Sequence, residues 1–185
     1  MSLELRTHGP QDARELRTLL LDVHDGCYEG EEDPFHARER FAWFVDHWSA
    51  NPGFVCVIGY DSGEPVGFAY GAPLAAGSPW WAKVEGLDDD FRTETGKRTF
   101  AVSEVMVLPK WRGQSISHTL HEALLDGRPE QRSTLLVDRD HPKVQALYES
   151  WGYAKVGETQ PFNDAPVYAA MLRPLGGHTV PRQLA

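Results

Sequence analysis

The stretch "RGQSIS", residues 112–117, stands between an apolar run that reads as a strand and one that reads as a helix. A helix N-terminus presents backbone N–H groups that its own turns leave unpaired, and these attract phosphate when the side chains leave room. Glycines commonly line such a loop, but here only Gly113 remains and serines stand at 115 and 117. A left-handed backbone at Ser115 would cost about 1–2 kcal/mol. At a helix cap, by contrast, serine is a preferred residue. The cap is the expected position, and phosphate binding through the loop is the expected chemistry.

Other polar groups invite weaker readings. His118 and His121 lie three apart on the helix that follows, with Glu122 beside them. "HTLHE" is not a zinc-protease order, and no third ligand stands nearby in the sequence. Solvated helix histidines are therefore expected, with no metal. "EGEED" at 29–33 would attract a cationic amine or simply form an acidic surface loop. Trp80 and Trp81 could cover an apolar acceptor or anchor a loop by burial. Cys27 and Cys56 have neither metal nor disulfide spacing and read as reduced thiols, Cys56 as a small core residue.

The 185-residue chain is long enough for a substantial core. Its 27 acidic and 18 basic residues give a net charge of −9, which argues against nucleic acid or an anionic membrane as a partner. No run approaches the ~18–20 apolar residues of a membrane span, and the first residues lack the apolar segment of a signal peptide. A cytoplasmic protein, monomer or homodimer, is the expectation.

These residues need elements to hold them. A short strand is expected near 3–6, then a helix from Asp12, able to cap it, with Leu16, Leu19, Leu20 and Val23 on one stripe. A second helix aligns Phe41, Phe44, Val45 and Trp48 and ends at "NPG". "FVCVIGY" and "EPVGFAYGA" read as a hairpin turned at "DSG". Residues 73–99 carry no period, and a loop this long is usually functional or disordered. "FAVSEVMVL" reads as a strand, and Ile116, Leu120, Ala123 and Leu124 as a helix stopped by Gly127. After the strand "STLLVD", Pro142 opens a helix with Val144, Leu147, Tyr148 and Trp151 on one stripe. "YAKVG" and "PVYAAMLRPL" finish as strands. The order β-α-α-β-β-β-α-β-α-β-β predicts a mixed α/β sheet rather than a doubly wound one.

"VLPKWRGQSIS" and "HPKVQALYESWGY" resemble the two signature regions of the GNAT superfamily, the acyl-CoA-dependent N-acyltransferases. In that family a strand ending V-x-P leads to R/Q-x-x-G-x-G/A, and a later helix reads N-x-x-A-x-x-x-Y-x-x-x-G-F/Y. The spacing is kept; Ser115 and Ser117 depart from glycine, His141 from asparagine and Val144 from alanine. The resemblance covers roughly residues 54–173. It implies a GNAT fold, with a mostly antiparallel central sheet flanked by helices, as one domain over 1–173 with a tail at 174–185. It also implies acetyl-CoA as acyl donor and a primary amine, of a small molecule or a peptide N-terminus, as acceptor.

Residue by residue, the resemblance implies that Val105, Met106 and Val107 receive the acyl oxygen and pantetheine through their backbone N–H groups. It implies that Arg112, Gly113, Gln114, Ser115, Ile116, Ser117 and His118 hold the pyrophosphate, with His141 and Tyr148 also on the donor. Glu104 stands where the family often places the carboxylate that deprotonates the amine, usually through water, though a strand glutamate also simply faces solvent. Tyr148 falls at the position of the acid that protonates the thiolate, and equally on the apolar stripe of its helix. The amine then attacks directly in a ternary complex. A catalytically silent acyl-CoA sensor and a ligand-free interaction module of the same fold remain the alternatives.

Overall fold

Residues 2–177 are described by the structure, a computed structural model. The elements follow the expected order: β1 (Leu3–His8), α1 (Ala13–Cys27), α2 (Arg38–Ser49), β2 (Val55–Asp61) and β3 (Glu64–Pro73) come first. A four-residue helix, α3 (Asp89–Arg92), precedes β4 (Thr99–Val107), α4 (Ile116–Leu125) and β5 (Arg132–Asp138). The chain continues through α5 (Pro142–Ser150), β6 (Ala154–Thr159) and β7 (Tyr168–Pro174). Of the tail expected at 174–185, residues 178–185 lie outside the described residues.

The strands form one seven-stranded sheet in the order β1-β2-β3-β4-β5-β7-β6. Pairing is antiparallel in β1–β2, β2–β3, β5–β7 and β6–β7. Among the described residues β4–β5 is parallel, over Thr99–Ala101 against Arg132–Thr134. The sheet is thus mixed and mostly antiparallel, as expected. No helix among the described residues is long and apolar enough to cross a membrane.

Contacts divide the described chain into two compact units, 2–72 with 102–126 and 73–101 with 127–177. In the first, alternation along β2 sends Cys56 and Ile58 to one face, where Phe68 and Tyr70 of β3 and Met106 of β4 join them. Leu16, Leu20 and Val23 of α1 and Phe41 and Val45 of α2 cover that face. Burying each such large side chain contributes ~1.5–3 kcal/mol. Helix α4 packs on β2 from the opposite face, with Leu120 against Gly59.

Two expectations fail in this unit. Asp12 does not cap α1 with its side chain; its carboxylate instead accepts the Gly9 N–H at 3.0 Å and closes the preceding turn. His121 is fully buried rather than solvated. The row Ser117–His121–Leu125 lies beside the row Ile116–Leu120–Leu124 on α4, and the covered arc is wide enough to take in both.

In the second unit, the segment without a period is packed. Trp81, Val84 and Phe91 form a core with Ala170 and Leu172 of β7. Glu94 holds the segment: its Oε1 accepts from Trp81 Nε1 at 2.7 Å, Thr99 Oγ1 at 2.7 Å and the Arg132 guanidinium at 3.0 Å. Arg132 also donates to the Phe91 carbonyl and lies over the Phe91 ring. Trp81, 1% exposed, is therefore an anchor and not a lid. Helix α5 departs from its expected inward stripe: none of its residues is buried, and Val144 and Leu147 are each 42% exposed.

Candidate active site

Two backbone bonds bracket the pairing of β3 with β4 in the antiparallel sense. Leu74 N–H donates to the Thr99 carbonyl at 2.8 Å, and Leu108 N–H to the Val66 carbonyl at 2.9 Å. Val66 to Leu74 is one step shorter than Thr99 to Leu108, so β4 carries an extra residue, a β-bulge, between those bonds. Met106 packs in the α1–α2 core, and Glu104, two residues earlier, points to the same face. The strands approach closely here, since a Cβ on Gly67 would stand 2.3 Å from the Met106 carbonyl oxygen.

Glu104 is half-buried and makes no hydrogen bond or ion pair among the described residues. Desolvation alone pushes its carboxyl up to about 8. Tyr28 and Tyr70 stand close enough to feel its charge. Burial first, and the Glu104 carboxylate second, push both phenols above their ordinary range. The Tyr70 hydroxyl is buried, faces Ser103 and makes no hydrogen bond of proper geometry. Leaving such a group unsatisfied costs about 1–3 kcal/mol.

The C-terminal turn of α1 is tied to the loop after β4. Leu108 fills the notch at Gly26, where an added Cβ would stand 2.6 Å from it. Arg112 donates from Nε to the Val107 carbonyl at 2.9 Å and from one Nη to the Cys27 carbonyl at 3.5 Å. It is thus a brace between two backbone segments. Tyr28, just past α1, stacks on His36 at 4.0 Å, and His24 stacks on Phe41 at 4.1 Å. Part of the acidic segment is used locally: Glu31 pairs with His36 at 3.0 Å, and Asp33 accepts the Phe35 N–H at 2.8 Å.

The 112–118 loop corrects the cap expectation. Ser115 precedes α4 at φ 58° and ψ 16°, a left-handed backbone, and its side chain makes no cap bond. It fills a glycine position at a cost of about 1–2 kcal/mol, while its carbonyl accepts the Thr119 N–H at 3.0 Å. Gly113 is also left-handed, at φ 77°, and open space surrounds its missing Cβ. Arg112, Gly113, Gln114 and Ser115 are exposed, Ser117 is half-buried, and only Ile116 sends its side chain into the core. The first turn of α4 therefore offers backbone N–H groups beside small side chains, which fits a phosphate. His118 is exposed, 3.8 Å from Glu122.

Tyr148 and His141 stand in the other unit. Tyr148 is half-buried on α5 and meets Trp151 and Tyr153 edge to face, at 5.0 and 5.8 Å. The Tyr153 hydroxyl bonds Ser133 Oγ at 2.9 Å. His141 precedes α5, exposed, 3.8 Å from the Asp138 carboxylate. Among the described residues no group of three or more His, Cys, Asp or Glu side chains could hold a metal. Tyr28 and Tyr70 were not singled out in the sequence; the alternation of Phe68 and Tyr70 in β3 is the signal that marks Tyr70 as inward-facing.

A model of the acetyltransferase (GNAT) family matches residues 17–153. No curated protein matches the sequence. Solved structures share the fold at low identity. PH1933 from Pyrococcus horikoshii OT3 has a TM-score of 0.64 at 21% identity, over 95% of this chain and 99% of that one. YncA from Salmonella typhimurium, solved with its cofactor acetyl-CoA, has 0.60 at 14%, over 98% of each chain. PaiA N-acetyltransferase from Thermoplasma acidophilum, in complex with coenzyme A, has 0.56 at 13%, over 94% and 99%.

Proposed function

This chain belongs to the acetyltransferase (GNAT) family, and on that premise we propose that it transfers an acetyl group from acetyl-CoA to a primary amine. The observation that carries the reading is Glu104, a carboxyl without a charge partner whose protonation midpoint stands at about 8. A group poised there is a base matched to neutral or mildly alkaline conditions. Structures of YncA with acetyl-CoA and of PaiA with coenzyme A support the choice of donor.

In this reading Glu104 accepts the proton that the amine loses as it attacks, directly in a ternary complex. The backbone N–H groups of Val105, Met106 and Val107 polarise the acyl carbonyl. Gly113, Gln114, Ser115, Ile116 and Ser117 offer N–H groups at the start of α4 to the pyrophosphate, with His118 beside them; the family pattern also assigns His141 to the donor. Arg112 keeps that loop in shape. The Tyr148 hydroxyl protonates the departing thiolate; its half-buried place on a helix without buried residues favours this over core packing. Tyr148→Phe should lower turnover by ~10²–10⁴-fold and leave coenzyme A affinity nearly unchanged. Thiol release from acetyl-CoA with a panel of primary amines is the readout, and unchanged turnover would remove Tyr148 from the mechanism.

A further inference from the structure

The environment of Glu104 contains a second polar group without a partner. Tyr70 on β3 is fully buried, and its hydroxyl faces Ser103 without a hydrogen bond of proper geometry. Counted from the Leu74–Thr99 bond, Tyr70 lies opposite Ser103; counted from the Val66–Leu108 bond, it lies opposite Glu104. The extra residue of β4 lies between those bonds, so the pairing brings Tyr70 beside this pair of residues, and both Ser103 and Glu104 act on its phenol. Three polar groups thus converge on one spot: the Tyr70 phenol, the Ser103 hydroxyl and the Glu104 carboxyl. A buried water needs two to four such partners.

We propose that Tyr70, with Ser103, holds a water against Glu104 at the β4 bulge and thereby positions the path along which Glu104 takes the acceptor's proton. This rests on the reading of Glu104 as the base. The amine nitrogen gives its proton to the water oxygen while the water gives one of its own to the carboxylate. Tyr70 keeps its proton throughout and is a positioning residue. Burial holds that proton in place, so the phenol serves as a donor. Among the other ionisable groups near this face, burial raises Tyr28, Cys27 and Cys56 and lowers His24. Arg112 donates to two backbone carbonyls, and Glu31 pairs with His36.

Tyr70→Phe removes the hydroxyl and keeps the ring. The titration of Glu104 is followed by carbon NMR on protein labelled at the glutamate carboxyls, with its signal assigned by loss in Glu104→Gln. A donor to the ionised form lowers a carboxyl's midpoint, so Tyr70→Phe should raise it by about one pH unit. On the same samples, thiol release from acetyl-CoA with the primary-amine panel should show kcat reduced about tenfold or more, with KM for acetyl-CoA unchanged. Should Tyr70→Phe fail to fold, Ser103→Ala carries the test with the same expected signature. A parental midpoint or a parental kcat in the folded variant overturns the proposal, even where Glu104→Gln is inactive. Full turnover by Glu104→Gln would instead overturn the reading of Glu104 as base, and this inference with it.

Discussion

Two glutamates withdrawn from water, one in each unit, have opposite surroundings. Glu94 is 4% exposed, and one of its oxygens receives a tryptophan N–H, a threonine hydroxyl and an arginine guanidinium. Glu104 is half-buried and receives none of these. A buried charge paired with an arginine and hydrogen-bonded on one oxygen fixes a structure, and here it fixes the course of a long segment although Oε2 is buried without a hydrogen bond. A carboxyl left without compensation is displaced in pKa, and such groups cluster where protons are moved. The difference separates the two roles better than burial does, since the more deeply buried residue is the structural one.

The contrast is broken most strongly from the Glu104 side. Glu104→Gln keeps the shape and removes the proposed base, so turnover at pH 8 should fall ~10²–10⁴-fold while the fold and coenzyme A binding persist. Thiol release and a coenzyme A titration on one preparation check this. Glu94→Ala should act in the other direction. It leaves Arg132 buried without its partner, which costs about 3–5 kcal/mol, read from urea unfolding. A folded, fully stable Glu94→Ala would mean that the network does not hold the segment.

The smallest expected effect tests the loop. Ser115→Gly relieves about 1–2 kcal/mol of left-handed strain and loses about 0.5–1 kcal/mol to the extra freedom of glycine in the unfolded chain. The net gain should be about 0.5–1 kcal/mol, with coenzyme A affinity altered less than about tenfold, as measured by thermal unfolding with and without ligand.

Element order and the sheet were legible because hydrophobic period and turn residues are local signals. Glu104, Tyr148 and the loop stood out as candidates because their spacing follows a family pattern. The failures have physical causes. Whether Ser115 caps or turns left-handed depends on how the chain enters α4, and residue preference alone points the wrong way. His121 is buried because the arc that α4 covers spans two rows, which a single stripe does not convey. Val144 and Leu147 follow a helical period but remain largely exposed, since period does not say which face finds a partner. The association of Tyr70 with Glu104 is a pairing between strands distant in sequence, set by a bulge that no local pattern announces.

The central claim is that Glu104 is an uncompensated carboxyl, and the stability of Glu104→Gln relative to the parent tests it without an acceptor. The folded-state midpoint, at about 8, stands above the ordinary 4.5, so the parent should lose stability as pH rises from 4.5 through 8. Gln, which stays neutral, should not share that loss. The variant should therefore match the parent near pH 5 and exceed it by about 2–4 kcal/mol at pH 9, the full shift being discounted for partial solvent screening. Urea unfolding of both proteins across that range gives the difference directly. A difference that stays constant from pH 5 to 9 would mean that Glu104 is ionised at little cost, and would contradict the account.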